Sequence, residues 1–262
     1  MKTKKYIMDM TVVENCALGD LYSLLKIVPA DGAALPEILP GQFVQVEVSD
    51  SKSTYLRRPI SVNFVDYDKN QLWLLIRKAG DGTRHLAAQP VGSTVNVILP
   101  LGKGFTVPQS GGAVEKVLLV GGGVGVAPLL YLGRKLSDAG IEPEFLLGAR
   151  SASDLLMLSS FKAIGKVYIS TEDGSEGEKG LVTTNSVFDR SFDLIYCCGP
   201  MPMMKAVAAI AKAKSTDCEV SLENRMACGL GACLCCVEKN SEGHNICVCT
   251  DGPVFKSSEL PW

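Results

Sequence analysis

Over roughly the first 107 residues apolar and polar positions alternate in short runs; after that the apolar positions gather into blocks separated by helical stretches. Tyr6 to Val13, Leu21 to Val28 and Gln42 to Val48 are rich in β-formers. Gln42-Phe43-Val44-Gln45-Val46-Glu47-Val48 keeps the two-residue period of a half-buried strand. Arg58 to Val65, Gln71 to Arg77 and Thr94 to Leu99 add three more, punctuated by Pro40-Gly41 and Leu99-Pro100-Leu101-Gly102. One short helix fits Arg84 to Ala88. Strands at this spacing predict a small antiparallel barrel over residues 1–107.

Val107 to Gly112 reads as a linker. Beyond it Lys116 to Val120 is an apolar strand, followed by glycines and a helix over 127–139. Glu144 to Leu147 is a second strand, with a helix near Asp154 to Phe161. Lys166 to Ser170 is a third strand, and Asp193 to Cys197 another, leading to a helix over 202–214. Cys218 to Leu222 fits a last strand. This alternation predicts a doubly wound parallel sheet over 113–216, with a small cysteine-rich module in 217–262. The expected class is multi-domain, β plus α/β.

Composition narrows the functions. Apolar content is 47% and the formal net charge is −2, so nothing favours nucleic acid or an anionic membrane as a partner. No apolar stretch is long enough to span a bilayer. The start, Met1-Lys2-Thr3-Lys4-Lys5, is basic, but Tyr6-Ile7-Met8-Asp9-Met10 follows in place of an apolar signal core, and a cytoplasmic location is expected. In such a chain the 10 cysteines point to metal or redox use more than to disulfides. The 2 histidines leave little room for histidine-based acid–base chemistry.

Cys228, Cys233 and Cys236, with Cys249 further on, follow the C-x4-C-x2-C…C spacing of plant-type [2Fe–2S] ligands. Gly229 and Gly231 can take backbone angles closed to other residues, and Ala227 and Ala232 keep the loop slim. Zinc more often takes two C-x2-C pairs or a Cys/His mixture. Cys16, Cys197, Cys198, Cys218, Cys235 and Cys247 remain, and most suit the role of small buried apolar groups. An iron–sulfur site means that the protein handles electrons.

Two features of the barrel region suit phosphate. In Arg58-Pro59-Ile60-Ser61 a forked cation and a hydroxyl can reach one anion. In Gly80-Asp81-Gly82-Thr83, Thr83 can cap the short helix while free N–H groups point at a phosphate. Gly121-Gly122-Gly123-Val124-Gly125-Val126-Ala127-Pro128 follows the first strand of the α/β region. Gly121, Gly123 and Gly125 permit a tight turn close to a pyrophosphate, and Pro128 suits the first helical turn. Arg150 and Ser151 end the second strand, which leaves NAD against NADP open. Cys198-Gly199-Pro200 sits at a strand's carboxyl end, where such sheets place ligands; Cys198 and Gly199 either face a nicotinamide or merely turn the chain.

The order barrel, nucleotide fold, plant-type cluster resembles the ferredoxin-reductase superfamily. Within it the chain is most similar to the electron-transfer subunits of dihydroorotate dehydrogenase B, over essentially its whole length. Arg58-Pro59-Ile60-Ser61 looks like that family's flavin motif, and Pro100-Leu101-Gly102-Lys103-Gly104-Phe105 like the segment closing its FAD domain. Met226-Ala227-Cys228-Gly229-Leu230-Gly231-Ala232-Cys233 and Asp251-Gly252-Pro253-Val254-Phe255 resemble its cluster segment. The resemblance implies FAD contacts at Arg58, Pro59, Ile60, Ser61, Leu75, Ile76, Arg77, Gly82 and Thr83. It selects Cys236 over the adjoining Cys235 and Cys249 over Cys247 as ligands. It implies an FMN-containing dihydroorotate dehydrogenase catalytic subunit as partner, in a heterotetramer of two of each, with electrons running from FMN through the cluster and FAD to NAD in pyrimidine synthesis. Apolar groups at Met226, Leu230, Leu234, Phe255 and Leu260-Pro261-Trp262 are the expected docking surface or, alternatively, a cover for the cluster. Other readings are a reductase subunit of similar build serving a hydrogenase, a sulfite reductase or a ferredoxin-coupled transhydrogenase, and a non-catalytic redox sensor.

Overall fold

The structure is a computed structural model that describes residues 4–49, 51, 53–109 and 111–262. Met1 to Thr3 of the basic start and Ser110 of the expected linker lie outside the described residues. Strands β1 (Tyr6–Leu18), β2 (Tyr22–Pro29), β3 (Phe43–Val46), β4 (Arg58–Asp66), β5 (Gln71–Arg77) and β6 (Thr94–Leu101) close into a barrel in the order β1-β2-β5-β4-β3-β6. All their pairings are antiparallel. Alternate residues such as Val12, Ile27, Val44, Ile60, Val62, Leu74, Ile76 and Val97 fill its interior. Each such side chain is worth ~1.5–3 kcal/mol on burial. A one-residue slip would expose a whole set of them, which fixes the register. The short helix α1 (Asp81–Ala87) starts three residues before the expected one and lies against β5.

β3 departs from the half-buried expectation: all four of its residues are buried. Val44 and Val46 point into the barrel, while Phe43 on the other face joins a second core with Leu101, Cys236 and Cys249. The alternation is real, but the outer face is roofed by the cysteine segment.

The second half is a seven-stranded sheet of β7 (Val117–Gly122), β8 (Pro143–Ala149), β9 (Lys166–Thr171), β10 (Glu178–Lys179), β11 (Leu194–Cys198), β12 (Asp217–Ser221) and β15 (Val254–Lys256). A small antiparallel hairpin, β13 (Val237–Lys239) with β14 (Asn245–Cys247), lies between the last two in sequence. The spatial order is β10-β9-β8-β7-β11-β12-β15, parallel except that β15 runs antiparallel beside β12. Helices α2 (Ala127–Asp138), α3 (Leu158–Lys162) and α4 (Met201–Ala213) connect the strands. The expected division at 217 falls at the start of β12, inside this sheet, so the cysteine segment leaves the sheet at β12 and rejoins it at β15.

The helix expected over 154–161 shortens to α3, preceded by a 3-10 turn at Ala152–Asp154. Local polar bonds compete with helix there: Ser151 Oγ donates to Asp154 Oδ2 at 3.2 Å, and the Ala152 N–H donates to Ser175 Oγ at 2.7 Å. Glu178–Lys179, the 237–247 hairpin and the return strand β15 are too short to show a period in the sequence.

Helix α2 joins the two halves. Asn63 Nδ2 on β4 donates to the Ala127 carbonyl at 3.0 Å, and the Tyr131 hydroxyl donates to the Ile38 carbonyl at 3.1 Å. The stretch after the barrel is also fastened. The Thr106 N–H and hydroxyl donate to the buried carboxylate of Glu219 on β12 at 2.9 and 2.6 Å, and the Tyr196 hydroxyl donates to the Thr106 carbonyl at 2.7 Å.

Candidate functional site

On the barrel, Ile60 and Ile76 point into the core, so only their backbones are open to a ligand. The outward residues of the two strands are different. Pro59 and Ser61 are partly exposed, Leu75 packs with Leu24 and Val126 towards the sheet domain, and Arg77 is exposed at the end of β5. The two phosphate-type features expected from sequence come together: a Cβ placed on Gly82 would lie 2.6 Å from Arg58 Nε and 3.0 Å from Thr54 Cγ2. The guanidinium therefore lies directly over the first turn of α1. Its Nη1 donates to the Leu56 carbonyl at 3.2 Å. Thr83 is not the cap expected of it. Gly80 is the N-cap, and Thr83 Oγ1 reaches back, accepting the Ala79 and Gly80 N–H groups at 3.0 Å each.

A cleft of about 710 Å³ opens between barrel and sheet. Tyr22 and Arg77 line it from the barrel, Gly123 and Gly125 from the first turn of the sheet domain, and Gly199 with Pro200 from the turn after β11. That volume lies within the range of cofactor sites. The glycines of the turn divide their work. A Cβ on Gly121 would meet Val126 and Leu129 at 2.9 and 3.0 Å, so Gly121 serves helix–strand packing, ends β7 with Gly122, and does not line the cleft. Gly123 takes φ +56° with open space beside it. Gly125 lets the first turn touch the Cys198–Gly199 backbone. Cys198 is the last residue of β11, with 8% of its surface exposed, and it does not line the cleft. Burial and the nearby Glu223 push its thiol up to about 12, so it is neutral at ordinary pH.

Sequence reasoning missed Asp154, Glu172 and Glu223 in this cleft. Asp154 sits on the turn that replaces part of a helix, and Glu172 lies just past the end of β9; neither belongs to a motif. Arg150, singled out for a 2′-phosphate, does line the cleft, but its Nε lies 3.5 Å from Asp154 Oδ2.

The cysteine loop has the conformation its glycines foretell, with Gly229 at φ +69° and Gly231 at +84°. Leu234 takes φ +59° without being glycine. The Leu230 and Cys233 N–H groups donate to Cys228 Sγ at 3.3 and 3.4 Å, and the Cys249 N–H donates to Cys236 Sγ at 3.4 Å. Burial alone would raise the Cys228 thiol, but the donated N–H bonds bring it down to about 6, a thiolate near neutral pH. Burial and Cys236 push Cys249 up to about 12. These bonds tie the four cysteines in two pairs, Cys233 to Cys228 and Cys249 to Cys236. Among the described residues no three His, Cys, Asp or Glu side chains gather closely enough to hold one metal ion. Two pairs suit a two-iron cluster, whereas a single tetrahedral zinc needs four ligands about one point. Cys236 and Cys249 are 2% and 1% exposed, while Cys235 is exposed. Of the apolar groups expected around the loop, Leu230 and Leu234 are exposed at 42% and 64%; Phe255 and Leu260 are buried, and Met226 and Trp262 pack on the core.

The segment closing the barrel touches the segment after Cys249. The Lys103 N–H donates to the Gly252 carbonyl at 2.6 Å, and the Leu222 N–H donates to the Pro253 carbonyl at 2.8 Å. Barrel, sheet and cysteine loop thus meet at Gly252-Pro253.

Comparison with known proteins fits this geometry. Residues 223–261 match the family model of the iron–sulfur cluster binding domain of dihydroorotate dehydrogenase B, and residues 119–209 match the oxidoreductase NAD-binding domain. The chain is 45% identical over 225 residues to a dihydroorotate dehydrogenase B (NAD(+)) electron transfer subunit of Shouchella clausii, covering 84% of this chain and 86% of that one. It is 39% identical to the corresponding subunit of Fusobacterium nucleatum over 97% and 98% of the two chains. Among solved structures it is similar to an NADH-dependent reduced ferredoxin-NADP oxidoreductase studied for flavin-based electron bifurcation. The TM-score is 0.83 at 29% identity, covering 97% of this chain and 90% of that one. The FAD/NAD-binding domain of a nitric oxide dioxygenase from Vibrio cholerae shares the fold, with a TM-score of 0.70 at 21% identity over 81% and 98% of the chains.

Proposed function

Because this chain belongs to the family of dihydroorotate dehydrogenase B electron transfer subunits, we propose for its residues the following division of labour. The protein is an oxidoreductase subunit that uses FAD, a [2Fe–2S] cluster and NAD, and it works with a catalytic partner. Cys228, Cys233, Cys236 and Cys249 hold the cluster. Arg58, Ser61, Gly82 and the outer faces of Leu75 and Arg77 hold FAD, with the backbones of Pro59, Ile60, Ile76 and Thr83 alongside. Gly123, Gly125 and Gly199 admit NAD to the cleft, and Cys198 and Gly121 support that site from behind. Residues 1–107 carry FAD, residues 113–216 carry NAD and residues 217–262 carry the cluster.

FAD, when bound, converts between the two-electron chemistry of nicotinamide and the one-electron chemistry of the cluster. The chain's own part is placement. Arg58 supplies fixed positive charge at the pyrophosphate, and Gly82 leaves room for it. Gly125 lets the two nucleotide-binding turns touch, and the neutral, buried Cys198 keeps a charge away from the nicotinamide end. A partner oxidising dihydroorotate to orotate with FMN would pass its electrons to a cluster held by Cys228, Cys233, Cys236 and Cys249. We place the docking surface on Leu230 and Leu234, in an assembly of two copies of each subunit.

The observation that carries this reading is the pairing of four cysteines by backbone N–H to sulfur bonds, in a loop fastened to both the barrel and the sheet. The architecture is shared with the ferredoxin-NADP oxidoreductase, so fold alone does not choose the electron donor; the relatives at 39–45% identity do. The test is co-purification. Leu230→Asp with the cluster fully loaded is expected to lose the FMN-bearing partner while keeping NADH-driven dye reduction. Unchanged assembly, with orotate still formed at the native rate, rejects this docking surface.

A further inference from the structure

Gln45 is 0% exposed, and neither its Nε2 nor its Oε1 has a hydrogen-bond partner in the protein. A carboxamide has two donor hydrogens and two acceptor sites, and leaving it dry and unpaired costs ~1–3 kcal/mol. A leucine or methionine of similar size would fill the same space without that cost. The position is also specific. Gln45 lies on β3 opposite Pro59 of β4 and Ile98 of β6, and Pro59 has no N–H to offer it. It shares the outward face of β3 with Phe43, which packs in one core with Cys236 and Cys249. On its other side is the cysteine loop: a Cβ on Gly229 would lie 2.8 Å from both Cγ and Nε2 of Gln45. Gly229 directly follows Cys228, and a side chain there would collide with the Gln45 amide.

We infer that Gln45 is a positioning residue for the iron–sulfur centre, its buried carboxamide donating an N–H to cluster sulfur from the flavin-bearing wall of the barrel. The inference rests on the ligand assignment above and adds a specific partner to it. A donor to sulfur stabilises the reduced, more negative cluster and raises its potential. Gln45 also spans the seam between Pro59, on the flavin side, and Gly229, on the cluster side. It therefore fixes the distance across which single electrons pass.

The test is an EPR-monitored redox titration of the full complex with Gln45→Met and Gln45→Leu. Methionine keeps the length and removes the donor; leucine removes the donor with a shorter apolar side chain. With iron and FAD contents native, both variants are expected to lower the reduced-to-oxidised ratio of the cluster at a fixed potential by about three- to tenfold, where tenfold corresponds to 59 mV for one electron. The g-values shift with it, while the FAD potential stays in place. Native ratio and g-values in an iron-loaded Gln45→Met protein overturn the inference. If that variant does not load iron, an iron-loaded Gln45→Leu protein with native values overturns it equally. Absence of any [2Fe–2S] signal from the wild-type protein instead overturns the ligand assignment on which the inference stands.

Discussion

The side chain of Arg58 occupies the space that a side chain on Gly82 would need, with Nε 2.6 Å from the position of the missing Cβ. A strand residue and a helix residue from two separate sequence motifs are thereby locked into one anion-facing surface. Gly82→Ala pushes the guanidinium aside without removing it. FAD affinity is expected to fall about tenfold, equivalent to ~1.4 kcal/mol, in a fluorescence titration of the flavin-free protein. Arg58→Lys keeps the charge but not the forked geometry and is expected to lose at least as much.

Burial separates Cys236 from its neighbour Cys235. Cys236 is 2% exposed and accepts the Cys249 N–H, while the adjoining Cys235 is exposed. Cys236→Ser is expected to abolish the rhombic EPR signal and most of the bound iron. Cys235→Ser is expected to keep both, as read by iron analysis beside EPR. Equal losses from the two would reassign the ligand.

Asp154 and Glu172 line the cleft between barrel and sheet, the proposed nucleotide site, and Arg150, the cation available to a 2′-phosphate there, leans towards Asp154. Two carboxylates beside that position repel an added phosphate. The protein is expected to prefer NADH over NADPH by at least tenfold in kcat/KM for dye reduction, and Glu172→Arg narrows the gap. A native preference for NADPH would contradict the placement of the nucleotide.

Acid stability has an identifiable contributor. Burial alone would raise the Glu144 carboxyl, yet it is held below its ordinary value by Arg190, whose Nη2 donates at 2.7 Å, and by the Tyr168 hydroxyl at 2.8 Å. A depressed folded-state pKa gives stability that is present above the unfolded value near 4.5 and is lost as pH falls through the lower folded value. Arg190 is substantially exposed, so the gain is only about 1 kcal/mol. Glu144→Gln is expected to lower Tm at pH 7 and to flatten its decline below pH 4.5. Parallel Tm–pH curves for the two proteins would refute this.

Asn63 is fully buried and gives the Ala127 carbonyl a partner across the seam between barrel and sheet. Asn63→Ala removes that bond and opens a small void, at a cost of about 1–2 kcal/mol. Urea unfolding is expected to show a lower midpoint, and proteolysis to cut first between the barrel and the sheet. An unchanged midpoint would mean that helix α2 holds the halves together without it.

The strands of the barrel could be read from the sequence because alternation survives when one face is wet, as along β1. β3 has the same alternation, but its dry outer face is decided by a segment nearly 200 residues away in sequence, which no local pattern reports. The cluster-binding segment was legible because the spacing of its cysteines is itself the signal. The roles of Gly121 and Thr83 were less so. One packs a helix and the other ties back a turn, and both use residue types that also bind phosphate. Gln45 stood in plain view as a polar position in a strand, where alternation marked it as solvent-facing. Only the cover placed by Gly229 makes it unusual.

Ser221 and Val254 face each other across the β12–β15 pair. Everything between them is therefore a closed excursion hung from one rung of the sheet, leaving and returning at neighbouring positions. The iron-bearing part is thus a cassette: its outward surface can change to suit a different redox partner while the hydride-handling chassis beneath it keeps its shape.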